Sequence, residues 1–110
     1  MKITKVYTNN VFGIYNYTLT LKQKEVEDTT ITYNTNNHVE ILDVQGPNIE
    51  TIISLVELEQ KRKQKTSIYV TIPTKYRKTI RCFYNHGYML QKIEYNYKSM
   101  RLSKELKTNT

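Results

Sequence analysis

The spacing of apolar and polar residues divides the chain into segments that alternate with period two and segments with helical spacing. Alternation over residues 2–7, 11–22, 29–33 and 38–44 predicts four successive strands, because neighbouring side chains of a strand point to opposite faces of a sheet. The fourth segment has apolar residues on both faces, which is typical of a strand in the middle of a sheet.

A first helix is predicted over residues 48–63. Asn48 suits its N-cap, and lysine and arginine occupy its last turn. The apolar side comprises Ile49, Ile52, Ile53 and Val56, and the side predicted to face solvent comprises Glu57, Glu59 and Gln60.

The apolar segment 67–72 predicts another strand, after which Thr74 is the expected N-cap of a second helix. Gly87 is expected to end that helix, since glycine readily adopts the left-handed conformation found there. Its predicted packed side comprises Tyr76, Ile80, Phe83 and Tyr84. Residues 88–102 alternate again and predict one long final strand.

With 110 residues, of which 38% are hydrophobic, the chain is expected to form one domain over residues 1–110, with a frayed tail at 107–110. No apolar run approaches the roughly 20 residues of a membrane span, and the first residues lack the apolar core of a signal peptide. We therefore expect a cytoplasmic protein that has no membrane partner.

The net charge of +7 is unevenly placed along the sequence. Residues 1–60 carry 4 basic and 8 acidic side chains, a balance of −4, whereas residues 61–110 carry 13 basic and 2 acidic, a balance of +11. Such polarity favours a phosphate-bearing partner for the C-terminal half, either nucleic acid or a phosphorylated cofactor. The alternative is that lysine is simply the preferred solvated residue of this protein.

Basic residues occur at the end of the first predicted helix and along the second, with tyrosines interleaved, and this mixture suits phosphate contacts and base stacking. The candidate phosphate-binding residues are Lys61, Arg62, Lys63, Lys65, Lys75, Lys78 and Arg81. No recognised nucleic-acid motif accompanies them. One hypothesis is therefore a non-enzymatic protein of a phage or mobile element that acts on nucleic acid, a nucleoprotein or a nucleic-acid enzyme.

Few side chains carry the spacing of a reactive centre. Cys82 is the only cysteine, which excludes an internal disulfide and a cysteine-based zinc cluster; it is expected to be a buried small residue, with His86 as the only nearby base. His38 and His86 have no carboxylate at metal-ligand spacing, so no metal site is predicted. Glu40 and Asp43 lie three apart on a strand, which predicts opposite faces.

The order of elements and the end of the chain resemble the GNAT superfamily of N-acetyltransferases. Two segments carry the resemblance: Phe83-Tyr84-Asn85-His86-Gly87-Tyr88, with its Gly-aromatic pair, and the tail over residues 100–106. It covers about residues 29–106. The resemblance implies an α+β fold of order β-β-β-β-α-β-α-β, in which a mixed, mostly antiparallel sheet of about six strands carries two helices.

The resemblance also implies that acetyl-CoA would lie between the strand ending at Val44 and the strand 67–72. The implied cofactor-binding residues are Val44, Gln45, Gly46, Asn48 and Ile49, the last of these at a helix N-terminus that favours phosphate. Glu40 or Asp43 would deprotonate an amine acceptor, and Tyr84 would protonate the departing thiolate.

The sequence departs from the family pattern at two places. The loop at residues 45–48 is shorter than the family's pyrophosphate loop, and Phe83 stands four residues before the glycine, where the family has its acid tyrosine. An acyl-CoA N-acyltransferase and a catalytically degenerate relative are therefore both open. A homodimer formed through the edge of the N-terminal hairpin is a third hypothesis.

Overall fold

The computed structural model describes residues 2–9, 15–35 and 38–106. Within these ranges the chain forms seven strands and two helices: β1 Lys2–Asn9, β2 Tyr15–Gln23, β3 Val26–Thr35, β4 Val39–Gln45, α1 Ile49–Arg62, β5 Ser67–Pro73, α2 Arg77–Asn85, β6 Met89–Glu94 and β7 Ser99–Glu105. The first residues of the second predicted strand and the predicted frayed tail lie outside the described residues.

All seven strands belong to one sheet of order β1-β2-β3-β4-β5-β7-β6. Neighbours are antiparallel except β4 and β5, which are parallel and connected through α1. The predicted α+β architecture with a mixed, mostly antiparallel sheet is confirmed, with seven strands instead of about six. Neither of the two helices in the described ranges has the length and hydropathy of a membrane-spanning segment.

The additional strand arises because the predicted final strand is a hairpin. Its two arms, β6 and β7, pair antiparallel from Met89–Ser103 to Glu94–Ser99. Between them Tyr95, Asn96 and Tyr97 have φ angles of 54°, 57° and 69°. These residues continue the alternation of their neighbours and include no glycine or proline. The sequence pattern therefore did not predict a turn here.

Both helices pack on one face of the sheet, where they contact each other and share one core. Inward-facing residues of the central strands, such as Ile31, Ile41, Ile68 and Leu102, are buried there. The opposite face is polar and includes a hydrogen bond between the hydroxyls of Thr18 and Thr32 (3.2 Å). This arrangement explains the period-two pattern of β2 to β5, since one side of each of these strands meets the core and the other is more exposed to water.

Helix α1 buries the predicted apolar residues Ile52, Ile53 and Val56. The prediction that Glu57 and Gln60 face solvent is wrong, because both are buried. Lys104 of β7 donates to Glu57 Oε1 at 2.7 Å and so compensates its charge under the helix. Such long-range pairing between a helix and a distant strand leaves no trace in local spacing.

Helix α2 begins at Arg77, later than predicted. Thr74 does not cap it; the Thr74 hydroxyl donates instead to the carbonyl of Tyr97 at 2.9 Å, which fastens the end of β5 to the β6–β7 turn. Phe83 of the predicted packed side is buried, whereas Tyr76 and Tyr84 are 51% and 42% exposed. The packed side of this helix is therefore narrower than its sequence indicated.

The end of α2 is a paired hydrogen-bond arrangement around Gly87. The Gly87 N–H donates to the carbonyl of Tyr84 (3.0 Å), and the Tyr88 N–H donates to that of Phe83 (3.1 Å), which is the Schellman motif. Gly87 has φ +86°, and the rings of Phe83 and Tyr88 meet edge to face at 4.9 Å. The Gly-aromatic pair of the sequence thus closes a helix.

A charged and aromatic group joins β1 and β3 to α1. Glu59 accepts hydrogen bonds from Lys5 and from the Tyr33 hydroxyl, and Lys63 Nζ lies 3.2 Å from its carboxylate. Burial raises the pKa of Tyr33, and the neighbouring Glu59 charge raises it further. Burial alone would raise the pKa of Glu59, but hydrogen bonds from Lys5 and Lys63 bring it below its usual range.

This group gives a pH-dependent prediction. Because the folded-state pKa of Glu59 is depressed, its carboxylate stabilises the fold above the unfolded-state pKa, and the contribution is lost as pH falls through the folded-state pKa. Glu59→Gln is expected to lower the free energy of unfolding by about 1 kcal/mol at neutral pH. Denaturant titrations at several pH values should show the difference shrinking in acid; a difference independent of pH would contradict this account.

Candidate functional site

Strands β4 and β5 pair over only a short distance. Their parallel register consists of Val39–Ile68, Glu40–Tyr69 and Ile41–Val70, and it ends there. Beyond this point β4 continues to Gln45 and β5 to Pro73. The two central strands therefore diverge toward their C-terminal ends, where ligands of open parallel sheets commonly bind.

A β-bulge in β4 lies at the point of divergence. Along β3, Thr32 pairs with Asp43 and Tyr33 pairs with Ile41, so Leu42 is the additional residue. A bulge bends its strand and increases its twist. The second half of β4 follows β3, while β5 remains paired with β7 along its whole length.

The divergence opens a cleft of about 220 Å³. It is lined by Leu42, Asp43, Val44 and Gln45 of β4, by Val70, Thr71, Ile72 and Pro73 of β5, and by Tyr76 and Thr79 next to and on α2. Pockets that enclose a drug-sized ligand measure about 300–1,000 Å³. This cleft therefore has the size for an extended arm of a larger ligand, and the strand edges on either side offer peptide groups to it.

The predicted cofactor-binding residues fall into two groups. Val44 and Gln45 line the cleft. Gly46 has φ +117°, and a Cβ atom there would lie 2.5 Å from the carbonyl oxygen of Asp28 and from the Cα of Thr29. The loop after β4 therefore runs against the backbone of β3, and only glycine fits at this position.

The two remaining predicted residues, Asn48 and Ile49, stand at the start of α1. Asn48 occupies the N-cap position, but its side chain makes no capping bond and donates instead to the Gln23 side chain. Its backbone N–H donates to Thr29 Oγ1 at 2.9 Å. Since Pro47 has no N–H, the amides that remain for an anion are those of Gly46 and the first turn of α1.

The structure places Glu40 and Asp43 on the same face of the sheet, so the prediction of opposite faces is wrong. Their partners in β3 are Asn34 and Thr32, which are two residues apart. The bulge at Leu42 is the reason, because one inserted residue reverses the alternation. Asp43 lines the cleft, and the Gln45 side-chain amide donates to its Oδ2 at 2.9 Å.

Glu40 is held by a cation. Its two carboxylate oxygens accept from the guanidinium of Arg101 at 2.9 and 3.1 Å, and this hydrogen bonding raises the pKa of Arg101. Arg101 lies over the ring of Tyr69 and donates to Thr71 Oγ1 at 3.2 Å. His38 Nε2 is 3.5 Å from the same carboxylate. Glu40 is thus engaged on both oxygens.

Tyr84, the tyrosine that the resemblance selected, is 42% exposed on α2 and is not part of the cleft lining. Phe83, at the family's tyrosine position, is fully buried against Tyr88. The phenol that does line the cleft belongs to Tyr76. The sequence feature that could have indicated Tyr76 is its spacing from Thr79, because residues three apart at the start of a helix lie on the same side.

Cys82 is next to the first turn of α1, in a small pocket with Pro47 and Asn48. Burial raises the pKa of its thiol, and the Glu50 carboxylate raises it further. His86 Nε2 lies 3.8 Å from the Glu50 carboxylate. These surroundings favour the neutral thiol.

Within residues 2–9, 15–35 and 38–106, no group of three or more His, Cys, Asp or Glu side chains is arranged to hold a metal ion.

The predicted phosphate-binding residues do not share one surface. Lys61, Arg62, Lys63 and Lys65 lie at the end of α1, before β5 begins, whereas Lys75, Lys78 and Arg81 follow the end of β5. A strand of seven residues separates the groups, which is about 20 Å. Only the second group is at the end of the sheet where the cleft opens.

The fold is similar to that of several solved structures. A proposed acyl-CoA N-acyltransferase from Klebsiella pneumoniae superposes with a TM-score of 0.69 at 12% identity, over 83% of this chain and 72% of that one. A domain from Methanocaldococcus jannaschii gives 0.66 at 12% identity, over 84% and 67%. An N-acetyltransferase from Staphylococcus aureus gives 0.59 at 8% identity, over 91% and 78%.

No protein-family model and no curated protein sequence matches the chain. At 8–12% identity the superpositions show the fold, and the fold is GNAT-like, as the resemblance implied. The element order, the mixed sheet and the two helices are therefore confirmed.

The two glycines of positive φ provide a matched test of the loop after β4. Gly46→Ala is expected to lower the free energy of unfolding by about 2 kcal/mol or more, since the methyl group would collide with the backbone of β3. Gly87→Ala should cost about 1 kcal/mol, because its nearest atom is Lys104 Cε at 3.8 Å and only the backbone conformation is penalised. Thermal and denaturant unfolding measure both; equal losses would show that the loop can move away from β3.

Proposed function

We propose that the chain binds an acyl-CoA in the cleft between β4 and β5 and transfers the acyl group to an amine. The observation that carries this proposal is the divergence of the two strands after Ile41 and Val70, with a cleft lined by both. The GNAT-like fold agrees with it, since two of the structural relatives are named as acyl-CoA N-acyltransferase or N-acetyltransferase.

The residues present fit the extended part of such a cofactor. Leu42–Gln45 on one side and Thr71–Pro73 on the other present strand edges that are not paired with each other, and these edges provide donors and acceptors for the amides of a pantetheine arm. Phosphates of the cofactor would be held by the N–H groups at the start of α1. The thioester supplies the activated acyl group.

Asp43 is the proposed proton acceptor for the amine. Among the residues that line the cleft it is the only carboxylate, and the amide of Gln45 fixes its orientation. Glu40 serves the site differently: its ion pair with Arg101 joins β4 to β7 across β5 at the point where the strands separate. Tyr76 is the proposed proton donor to the departing thiolate, since it is the tyrosine that lines the cleft.

Filling the cleft tests the binding site. Thr79→Trp introduces an indole from the α2 side and is expected to weaken acetyl-CoA binding by about tenfold or more, which thermal shift and isothermal titration calorimetry both measure. The wild-type protein should show a higher melting temperature with acetyl-CoA.

Ser54→Trp is the matched control, because Ser54 is an exposed residue of α1 outside the cleft lining. It should leave acetyl-CoA binding unchanged. If the wild-type melting temperature does not respond to millimolar acetyl-CoA, or if both tryptophan variants bind it equally well, the proposed cofactor site is wrong.

Replacing the proposed base separates binding from transfer. Asp43→Asn is expected to lower the rate of transfer by about 10²–10⁴-fold with little change in acetyl-CoA affinity, since the amide keeps the shape but accepts no proton. Release of free CoA thiol with spermidine or poly-lysine as acceptor measures the rate. Asp28→Asn, at an exposed position outside the cleft, is the control. Acetyl-CoA binding without any transfer in the wild type would support the catalytically degenerate alternative.

A further inference from the structure

One end of the molecule combines unpaired positive charge with exposed aromatic rings. We call it the basic–aromatic surface; it consists of Lys75, Arg77, Lys78, Arg81, Tyr95, Tyr97 and Lys98. These residues come from two separate segments, the start of α2 and the β6–β7 turn. Local sequence spacing does not predict that they are neighbours, because 13 residues (82–94) lie between the two segments.

Two hydrogen bonds from Thr74, the residue before the first segment, hold the two segments against each other, and a third closes the β6–β7 turn. The Thr74 N–H donates to the carbonyl of Lys98 at 2.8 Å, and its hydroxyl donates to that of Tyr97 at 2.9 Å. The Lys98 N–H donates in turn to the carbonyl of Tyr95 at 3.2 Å. Between the segments lies a depression of about 430 Å³ whose lining includes Lys75 and Lys98. The two segments of the basic–aromatic surface are therefore in contact where Thr74 and Lys75 meet the turn.

The cations of this surface lack carboxylate partners. Across the part of the chain that the structure describes, Arg77, Lys78, Arg81 and Lys98 form no ion pair with an acidic side chain. The first turn of α2 contains no acidic residue and begins with Arg77 and Lys78. Positive side chains there oppose the helix dipole, so the helix itself gains nothing from them. A bound polyanion would be stabilised both by these side chains and by the helix dipole.

The two tyrosines of the turn are the most exposed of the large hydrophobic side chains in the described residues, at 72% for Tyr95 and 77% for Tyr97. Both have left-handed backbone angles, as does Asn96 between them, a conformation that costs free energy in a residue with a side chain. The turn therefore keeps two aromatic rings in water at a cost in backbone conformation. Exposed rings beside cations are the elements that bind unstacked bases along a phosphate backbone.

From these observations we infer that the basic–aromatic surface binds single-stranded nucleic acid. The cations of α2 and Lys98 contact phosphates, and Tyr95 and Tyr97 stack on bases. An acidic protein segment or an anionic membrane would engage the cations equally but would leave the rings without a stacking partner. The inference does not depend on acyl transfer, because neither tyrosine of the turn lines the cleft.

The chain offers an internal control for charge. Lys61, Arg62 and Lys65 are equally basic but lie at the opposite end of β5. Removing three charges at either end lowers the net charge of the protein by the same amount. A difference between the two variants therefore reports position, and long-range attraction alone cannot produce it.

Fluorescence anisotropy with labelled poly-U and poly-dT strands, and with an abasic strand of the same length, tests the inference. The triple variant K75Q/K78Q/R81Q is expected to bind about tenfold or more weakly, and its slope of log affinity against log salt should fall by about 2. K61Q/R62Q/K65Q should bind within about threefold of the wild type. Y95A/Y97A should lose about tenfold, and Y95F/Y97F should regain it, because phenylalanine retains the stacking face.

The inference is overturned if the abasic strand binds as tightly as the others, which would indicate a general polyanion site, or if the two triple variants lose affinity equally. It is also overturned if no strand binds at low salt. All substituted side chains are exposed except that of Lys65, which is half-buried, and melting temperatures verify that each variant folds. Acetyl-CoA binding by Y95A/Y97A should remain unchanged, so failure of this inference and failure of the proposed cofactor site give different results.

Discussion

The short parallel register between β4 and β5 is the constraint on which the rest of the structure depends. Three residue pairs join the antiparallel β1–β4 half of the sheet to the β5–β7–β6 half. Few ladder bonds connect the halves, so their connection relies on side chains: the packing of α1 and α2 on one face and the Glu40–Arg101 ion pair on the other. The same shortness leaves the strand ends apart and creates the cleft. The short register of β4 and β5 therefore both joins the two halves of the sheet and opens the cleft.

How far the sequence predicts this structure depends on whether the signal is local. Period-two and helical spacing located the strands and both helices because each pattern arises from backbone geometry within one segment. The bulge at Leu42 has no such signal, since it exists only relative to the partner strand β3. The prediction that Glu40 and Asp43 lie on opposite faces was wrong for this reason. The β6–β7 turn was not predicted, because tyrosine and asparagine occupy the positions of positive φ at which glycine usually indicates a turn.

The candidate site divides in the same way. Val44, Gln45 and Asp43 follow from the resemblance and do line the cleft, because the position of a strand end survives small errors of register. Tyr84 does not, because it is exposed in the second half of α2, whereas the cleft is lined by Tyr76 and Thr79 at the start of that helix. The burial of Glu57 belongs with these cases, as Lys104, which compensates its charge, is more than forty residues away in sequence.

The closure of α2 around Gly87 has a consequence for how such chains are grouped. The segment that most resembled the acetyltransferase superfamily, Phe83 to Tyr88, consists of a helix stop, a left-handed glycine and two rings in contact, and none of these atoms belongs to the cleft. The segment therefore reports how α2 ends and packs, and it carries no information about a substrate. Whether a chain with this signature performs acyl transfer has to be tested at the ends of the two central strands, where the cleft lies.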